Sequence, residues 1–187
     1  AFMKATGIVR RIDDLGRVVI PKEIRRTMRI REGDPLEIYT DREGEVIFKK
    51  YSPIGELSAF AGEYAETLYK TCALNIVITD RDAVIATAGV PKKEYADKAL
   101  SPEMEKIMEG RSLYVFREGD SRIAVTTGEG SFFVNCAMPI ITEGDVVGCV
   151  ASLRTDEKER RGATPIGDVE NKLIQTAAGF LGRQLES

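Results

Sequence analysis

The first fifty residues of this chain hold too little apolar surface, in pieces too short, to make a core by themselves. GIVRRID alternates apolar and polar side chains from Ile8 to Ile12 and meets Asp14-Leu15-Gly16, after which Arg17 to Ile20 forms a second short strand; this is a strand, tight turn, strand pattern. Pro21 stands where its fixed φ and missing N–H are harmless, at the first turn of a short helix, Pro21 to Met28. Ile24 and Met28 share one face of it, while Arg25, Arg26 and Arg29 point elsewhere. Gly33-Asp34-Pro35 breaks the chain, and Leu36 to Tyr39 and Val46 to Phe48 are expected as strands about the turn Asp41 to Gly44. A segment of about 50 residues built this way folds only with a disulfide, a metal or a partner chain. It has no cysteine, and the whole chain has no histidine, so the segment is expected to be an obligate dimer.

The same segment is electrostatically set apart. Lys4 to Arg31 carries nine basic residues against three acidic ones. Residues 1–50 hold 12 Lys and Arg and 9 Asp and Glu, net +3, whereas residues 51–187 hold 15 and 21, net −6. The overall pI near 5.3 therefore conceals a basic module. Basic density confined to one short segment suits a polyanion, because each Lys or Arg placed on a phosphate releases condensed counterions, and nucleic acid is the partner this predicts.

Tyr51-Ser52-Pro53 reads as a joint between domains at 3–52 and 53–187. Beyond it, Leu57, Phe60, Ala61, Tyr64, Ala65 and Leu68 recur at three- and four-residue spacing and predict an amphipathic linking helix from Pro53 to Lys70, or 53–71 with its end. Asn75 to Thr79 and Val84 to Thr87 are expected strands, Lys92 to Glu109 a helix, and Ser112 to Phe116, Arg122 to Thr127, Phe132 to Ile141 and Val146 to Leu153 further strands. A charged loop, Thr155 to Thr164, leads to a closing helix from Pro165 to Leu185 with Val169, Leu173, Ala177, Phe180 and Leu181 on one face. Strands bracketed by helices predict an α+β fold, an antiparallel sheet with helices on one side. At 43% hydrophobic residues the larger part can bury a core of its own. Each amphipathic helix has two uses open to it, packing on its own sheet or joining an intersubunit bundle.

Several chemistries drop out. Without histidine there is no Ser-His-Asp or Cys-His catalysis and no imidazole metal site; no catalytic residue, metal or cofactor is expected, and the protein is not expected to be an enzyme. Gly7, Gly16, Gly33 and Gly44 belong to no GxGxxG or GxxxxGK[ST] motif and are turn glycines. Cys72, Cys136 and Cys149 form no CxxC pair, which suits reduced thiols. A four-residue loop, Thr142 to Asp145, would put Cys149 opposite Met138 and diagonal to Cys136 on one face, leaving open a redox pair beside the default of two buried apolar cysteines. No apolar run approaches the roughly 20 residues of a membrane span and no signal-like segment leads the chain; a soluble cytoplasmic protein is expected, with Ala1 and Phe2 extraneous before a natural start at Met3.

GIVRRIDDLGRVVIPKEIRRTMRIREGDPLEIY resembles the AbrB-type DNA-binding domain over roughly residues 4 to 52, and the layout of the whole chain resembles the stage V sporulation protein T family of transcription regulators. The resemblance implies a swapped-hairpin β-barrel made by two chains, followed by a GAF-like antiparallel sheet with flanking helices, the latter suggested by layout and by the ending Gln175 to Gln184. It further implies a tetramer assembled through helices, and sensing of a small molecule or partner by the second domain. In that family arginines of the first strand, the turn and the helix grip double-stranded DNA, and the matching positions are Arg10, Arg11, Arg17, Arg25 and Arg26, with Lys4 beside them. On a strand Arg10 and Arg11 point to opposite sides, so some of these charges are expected to pair with Asp13, Asp14 or Glu23 instead. Lys49 and Lys50 read as a solvated strand end. Two rival functions follow from the same residues: an antitoxin, which uses the same swapped-hairpin module but follows it with a short disordered acidic tail, and a cysteine-based redox enzyme.

Overall fold

The computed structural model describes residues 3–156 and 167–186. The chain divides into two compact units, 1–51 and 52–187. Most of the expected charged loop and the expected helix start at Pro165 lie outside the described residues.

In the first unit the expected strands at 8–12 and 17–20 do not form within one chain; only the turn between them closes, with the Asp13 N–H on the Arg17 carbonyl at 3.1 Å and the Gly16 N–H on the Asp13 carbonyl at 3.1 Å. Gly16 takes φ +75° there, a backbone that L side chains resist. A strand is defined by its ladder, and this segment meets no second ladder in its own chain. Helix α1 (Lys22–Met28) starts after an extended Pro21 and ends at Arg29 in the left-handed region, φ 54°. The Ile30 N–H then reaches back to the Arg25 carbonyl at 2.8 Å, closing the helix as a glycine would. Strands β1 (Leu36–Thr40) and β2 (Val46–Lys50) form an antiparallel hairpin in the register Ile38↔Phe48. Its turn is held by Asp41 Oδ1, which accepts the N–H groups of Glu43 at 3.0 Å and Glu45 at 2.8 Å.

The second unit opens with a 3₁₀ turn (Ile54–Leu57) that runs into helix α2 (Ser58–Cys72). Strands β3 (Asn75–Thr79), β4 (Val84–Ala88), β5 (Tyr114–Val115), β6 (Phe133–Thr142) and β7 (Asp145–Arg154) make one antiparallel sheet in the order β4-β3-β7-β6-β5. The helix expected over Lys92 to Glu109 is split. A 3₁₀ turn (Lys92–Glu94) comes first, and helix α3 (Pro102–Gly110) begins anew where Ser101, extended before a proline, caps it through Oγ and the Met104 N–H at 3.1 Å. The strand expected at Arg122 to Thr127 is a single bridge, Thr126 to Leu100: Ser101 N–H to the Val125 carbonyl and Thr127 N–H to the Ala99 carbonyl tie it to the chain entering α3, and one bond, Val134 N–H to the Ile123 carbonyl, reaches β6. Helix α4 (Gly167–Gln184) closes the unit.

Helices flank the sheet on both faces rather than one. Ile54, Ala61, Ala65 and Leu68 of the first turns and α2, with Ile174, Ala177, Ala178 and Leu181 of α4, pack on Ile76, Ile78, Cys136, Ile140 and Val150. Met104, Ile107 and Met108 of α3, with Leu100 and Val125, cover Val77, Ala137, Cys149, Ala151 and Leu153 on the opposite face. Two glycines permit this closeness: a Cβ on Gly148 would stand 2.0 Å from the Thr79 carbonyl oxygen, and one on Gly182 2.3 Å from that of Ile141.

Candidate nucleic-acid interface

All six predicted contact residues, Lys4, Arg10, Arg11, Arg17, Arg25 and Arg26, are exposed. They lie on the first unit's arm, turn and helix. Arg10 and Arg11 stand on the arm leading into the turn, and the Arg10 Nη1 donates to the Val9 carbonyl at 3.4 Å. Arg25 donates Nε to the Ile20 carbonyl at 3.1 Å, which ties α1 to the segment before Pro21. Among the described residues no hydrogen bond or ion pair joins any two of the six.

Arg17 is the one cation of the set that pairs with an acid. Its Nε donates to Asp13 Oδ2 at 2.7 Å, while Asp13 Oδ1 accepts the N–H groups of Arg17 at 2.8 Å and Leu15 at 3.0 Å. The Arg17 backbone N–H first, and its guanidinium second, hold the Asp13 carboxyl below the usual carboxylate range. The pair consumes little of the cation: the Arg17 side chain stays 68% exposed, and its Nη groups have no acceptor among the described residues. Such exposed guanidinium forks suit phosphate oxygens and the acceptor edge of guanine.

Lys22 was not among the expected contacts, yet it is exposed one helical turn before Arg25 and Arg26, on the side of α1 they occupy. Its i, i+3, i+4 spacing to the two arginines was the available signal. Lys49 and Lys50 are not merely solvated. The Lys49 Nζ lies 4.6 Å from the Tyr39 ring centroid and the Lys50 Nζ donates to the Arg29 carbonyl at 2.8 Å, so both serve the unit's own structure.

The second unit separates the two strand cysteines. The β6–β7 connection is a two-residue turn, Glu143-Gly144, with Thr142 opposite Asp145 and both turn residues at positive φ; a register shift between Ile140 and Ile141 then sets Cys149 opposite Pro139, not Met138. Cys136 therefore faces α2 and α4, and Cys149 faces α3. Burial pushes the Cys136 thiol up to about 12 and the Cys149 thiol higher still, so neither carries thiolate at neutral pH. The redox-pair reading fails on this geometry. At the end of the sheet a cavity of about 540 Å³ is lined by Arg122, Ala124, Ser131, Phe132, Phe133 and Asp156 among others. Arg122 pairs with Asp156 and stacks on Phe133 at 4.8 Å. Among the described residues no helix is long and apolar enough to cross a membrane.

The family model described as stage V sporulation protein T C-terminal, transcription factor, matches residues 56–186, and one described as antidote-toxin recognition MazE, bacterial antitoxin, matches residues 9–55. Stage V sporulation protein T of Bacillus subtilis is 51% identical over 184 residues, 98% of this chain and 99% of that protein. A solution structure of the N-terminal DNA recognition domain of the Bacillus subtilis transition-state regulator AbrB is 65% identical, covering 26% of this chain and 91% of that one, with a TM-score of 0.23. A crystal structure of a GAF domain/HD domain protein from Geobacter sulfurreducens is 18% identical, covering 72% and 95%, with a TM-score of 0.45. An antitoxin of the expected kind would carry a short disordered acidic tail after its first module, whereas the described residues of the second unit form a folded sheet-and-helix body.

Proposed function

This chain belongs to the stage V sporulation protein T family of transcription factors, and from that premise we propose that it is a DNA-binding regulator of sporulation-type gene expression, acting in the cytoplasm. The observation that carries the reading is the exposed basic set of the first unit, set against a second unit of opposite net charge. Lys4, Arg10, Arg11, Arg17, Arg25 and Arg26 contact the duplex, mainly at phosphates, with base reading by arginine in the major groove. Lys22 extends the same surface. Two copies of residues 3–52 complete a swapped-hairpin barrel, which supplies the ladders that 8–12 and 17–20 lack and covers the apolar hairpin face.

The second unit, a GAF-like module over 53–187, joins dimers and senses a ligand or partner. Phe60 and Tyr64 of α2 lie 5.8 and 5.9 Å, centroid to centroid, from Phe180 of α4, and Phe180 remains 41% exposed. This aromatic seam is the surface through which a second dimer docks, giving a tetramer. The cavity beside Arg122 and Phe132 is the place where a small ligand fits.

Salt dependence tests the DNA reading. A dimer neutralising on the order of six to eight phosphates gives a slope of log K against log[salt] of about −5 to −7; a slope shallower than about −2 removes the phosphate clamp. Assembly is tested by comparing a fragment ending near Tyr51 with the full chain on a short single site and on a long duplex. Equal affinity on the short site, with a gain of about 10² to 10⁴ for the full chain on the long one, is the avidity expected of bridged dimers. An equal ratio on both duplexes removes the bridging role.

A further inference from the structure

We propose that Asp13 is a positioning residue for DNA recognition, holding the Arg17 guanidinium in the orientation that reads the duplex, an inference that rests on Arg17 being a DNA contact. An acid here works against binding. Beside a phosphate backbone a carboxylate adds Coulomb repulsion, so a side chain serving only solubility would be better placed elsewhere. Asp13 instead spends both oxygens on one neighbour: Oδ1 closes the turn on the N–H groups of Leu15 and Arg17, and Oδ2 takes the Arg17 Nε at 2.7 Å. Backbone and side chain of Arg17 are thus fixed by the same carboxylate.

The chemistry of the fork explains what this achieves. With Nε engaged, the two Nη groups are the donors left to point outward, and the guanidinium plane can no longer turn about its last bond. Exposed arginine otherwise loses its rotamer freedom on binding, and a partner that has already ordered it lowers that cost. Specific recognition needs this order more than phosphate contact does, since base edges demand a bidentate geometry and phosphates accept a point charge. Asp13 therefore raises discrimination between sequences, at some loss of non-specific affinity.

The experiment uses the full chain, a duplex selected from a random pool by the unaltered protein, and a scrambled duplex of the same composition. Asp13→Asn keeps an oxygen for the turn and removes the charge that orients the fork. It should weaken binding to the selected duplex about 3- to 10-fold and leave the scrambled duplex unchanged or bound more tightly. Arg17→Ala should cost about 10-fold or more on the selected duplex, and Asp13→Asn added to it should then change discrimination no further. Arg17→Lys, which retains the charge and Asp13 but not the fork, should lose discrimination as Asp13→Asn does. Thermal melts of each variant follow the fold.

Distinct outcomes overturn distinct statements. If Arg17→Ala binds both duplexes as before, Arg17 is not a contact and the DNA reading of that residue falls. If Arg17→Ala weakens binding but Asp13→Asn lowers affinity equally in both backgrounds and on both duplexes, Asp13 is a turn residue only. If Arg17→Lys keeps full discrimination, orientation of the fork is irrelevant and the proposal fails while the contact stands.

Discussion

Ile38, Val46 and Phe48 share one face of the first unit's hairpin and all stand exposed, Ile38 by 61%. In the second unit the sheet is covered on both faces, and β7 is buried over most of its length. The two units use the same alphabet of short apolar runs to different ends. One closes its core within a chain; the other leaves an apolar hairpin face uncovered in its own chain, the face that the proposed dimer would cover. Charge follows the same division, since the unit with the uncovered apolar face is the basic one and the self-covered unit is acidic. In the proposed dimer, association through apolar faces would place two basic surfaces on one particle without needing charge to hold it together.

The largest effect that tests this contrast comes from Ile38→Asp. On a single chain a substitution at a 61% exposed position costs within about 0.5 kcal/mol. Buried against a second copy, the unpaired carboxylate costs about 3–5 kcal/mol. Analytical ultracentrifugation and DNA titration should show dissociated, non-binding protein, with the second unit's melting transition intact. A variant that still dimerises and binds would mean that the hairpin face is not the interface.

Next in size is Gly148→Ala, the matching insult to the second unit. Its Cβ would sit 2.0 Å from the Thr79 carbonyl oxygen, which belongs to a neighbouring strand's backbone and cannot swing away. Separating β3 from β7 by that much should cost about 3 kcal/mol, seen in urea as a lowered midpoint for the second unit alone. DNA affinity on a short single site should be unchanged.

The buried thiols give a smaller, pH-dependent difference. Burial first and Glu170 second raise the Cys136 thiol to about 12. A thiol whose folded pKa lies above its unfolded one, about 8.5, adds stability that is complete below pH 8.5 and is lost progressively as pH rises through about 12. Urea midpoints of the second unit should therefore fall between pH 9 and 11, and Cys136→Ser should flatten that fall. The first unit has no cysteine and should show none of this decline from thiols.

Much of this division was legible in the residues. The i, i+4 periodicity of Leu57 to Leu68 and the turn residues at Asp41 to Gly44 placed α2 and the hairpin because their signals are local. The failures share a cause, which is that pairing is not local. Ile8 to Ile12 has strand alternation yet forms none in one chain, where it meets no partner ladder. Arg122 to Thr127 has a strand's composition, but its backbone bonds the α3 entry instead. The thiol pair was misplaced by one irregularity in a hairpin, since the register shift between Ile140 and Ile141 moves Cys149 from Met138 to Pro139 and so to the other face. Glu170, 3% exposed, accepts from Ser152 Oγ at 2.6 Å and Asn135 Nδ2 at 2.8 Å, and nothing in the helical pattern of α4 distinguished it from a solvated glutamate. The basic residues of the first unit were legible as types and positions, and all six stand exposed; the Asp13–Arg17 geometry needed the turn to be built.

The smallest expected effect puts the same local change in both units. Helix α1 ends at Arg29 with φ 54° and helix α2 at Ala73 with φ 55°. Each is a non-glycine residue in the left-handed region, where Cβ crowds the following carbonyl. Glycine relieves that strain but adds freedom to the unfolded chain, leaving a net gain of roughly 0.5–1 kcal/mol at either cap. For Ala73→Gly the gain should appear as a rise of about 1–5 °C in the second unit's transition, independent of protein concentration. For Arg29→Gly it should appear on a midpoint that still climbs with concentration, because folding of the first unit is coupled to association. A concentration-independent first transition in the Arg29→Gly protein would show that the unit folds alone, and the contrast between the two halves would then rest on charge only.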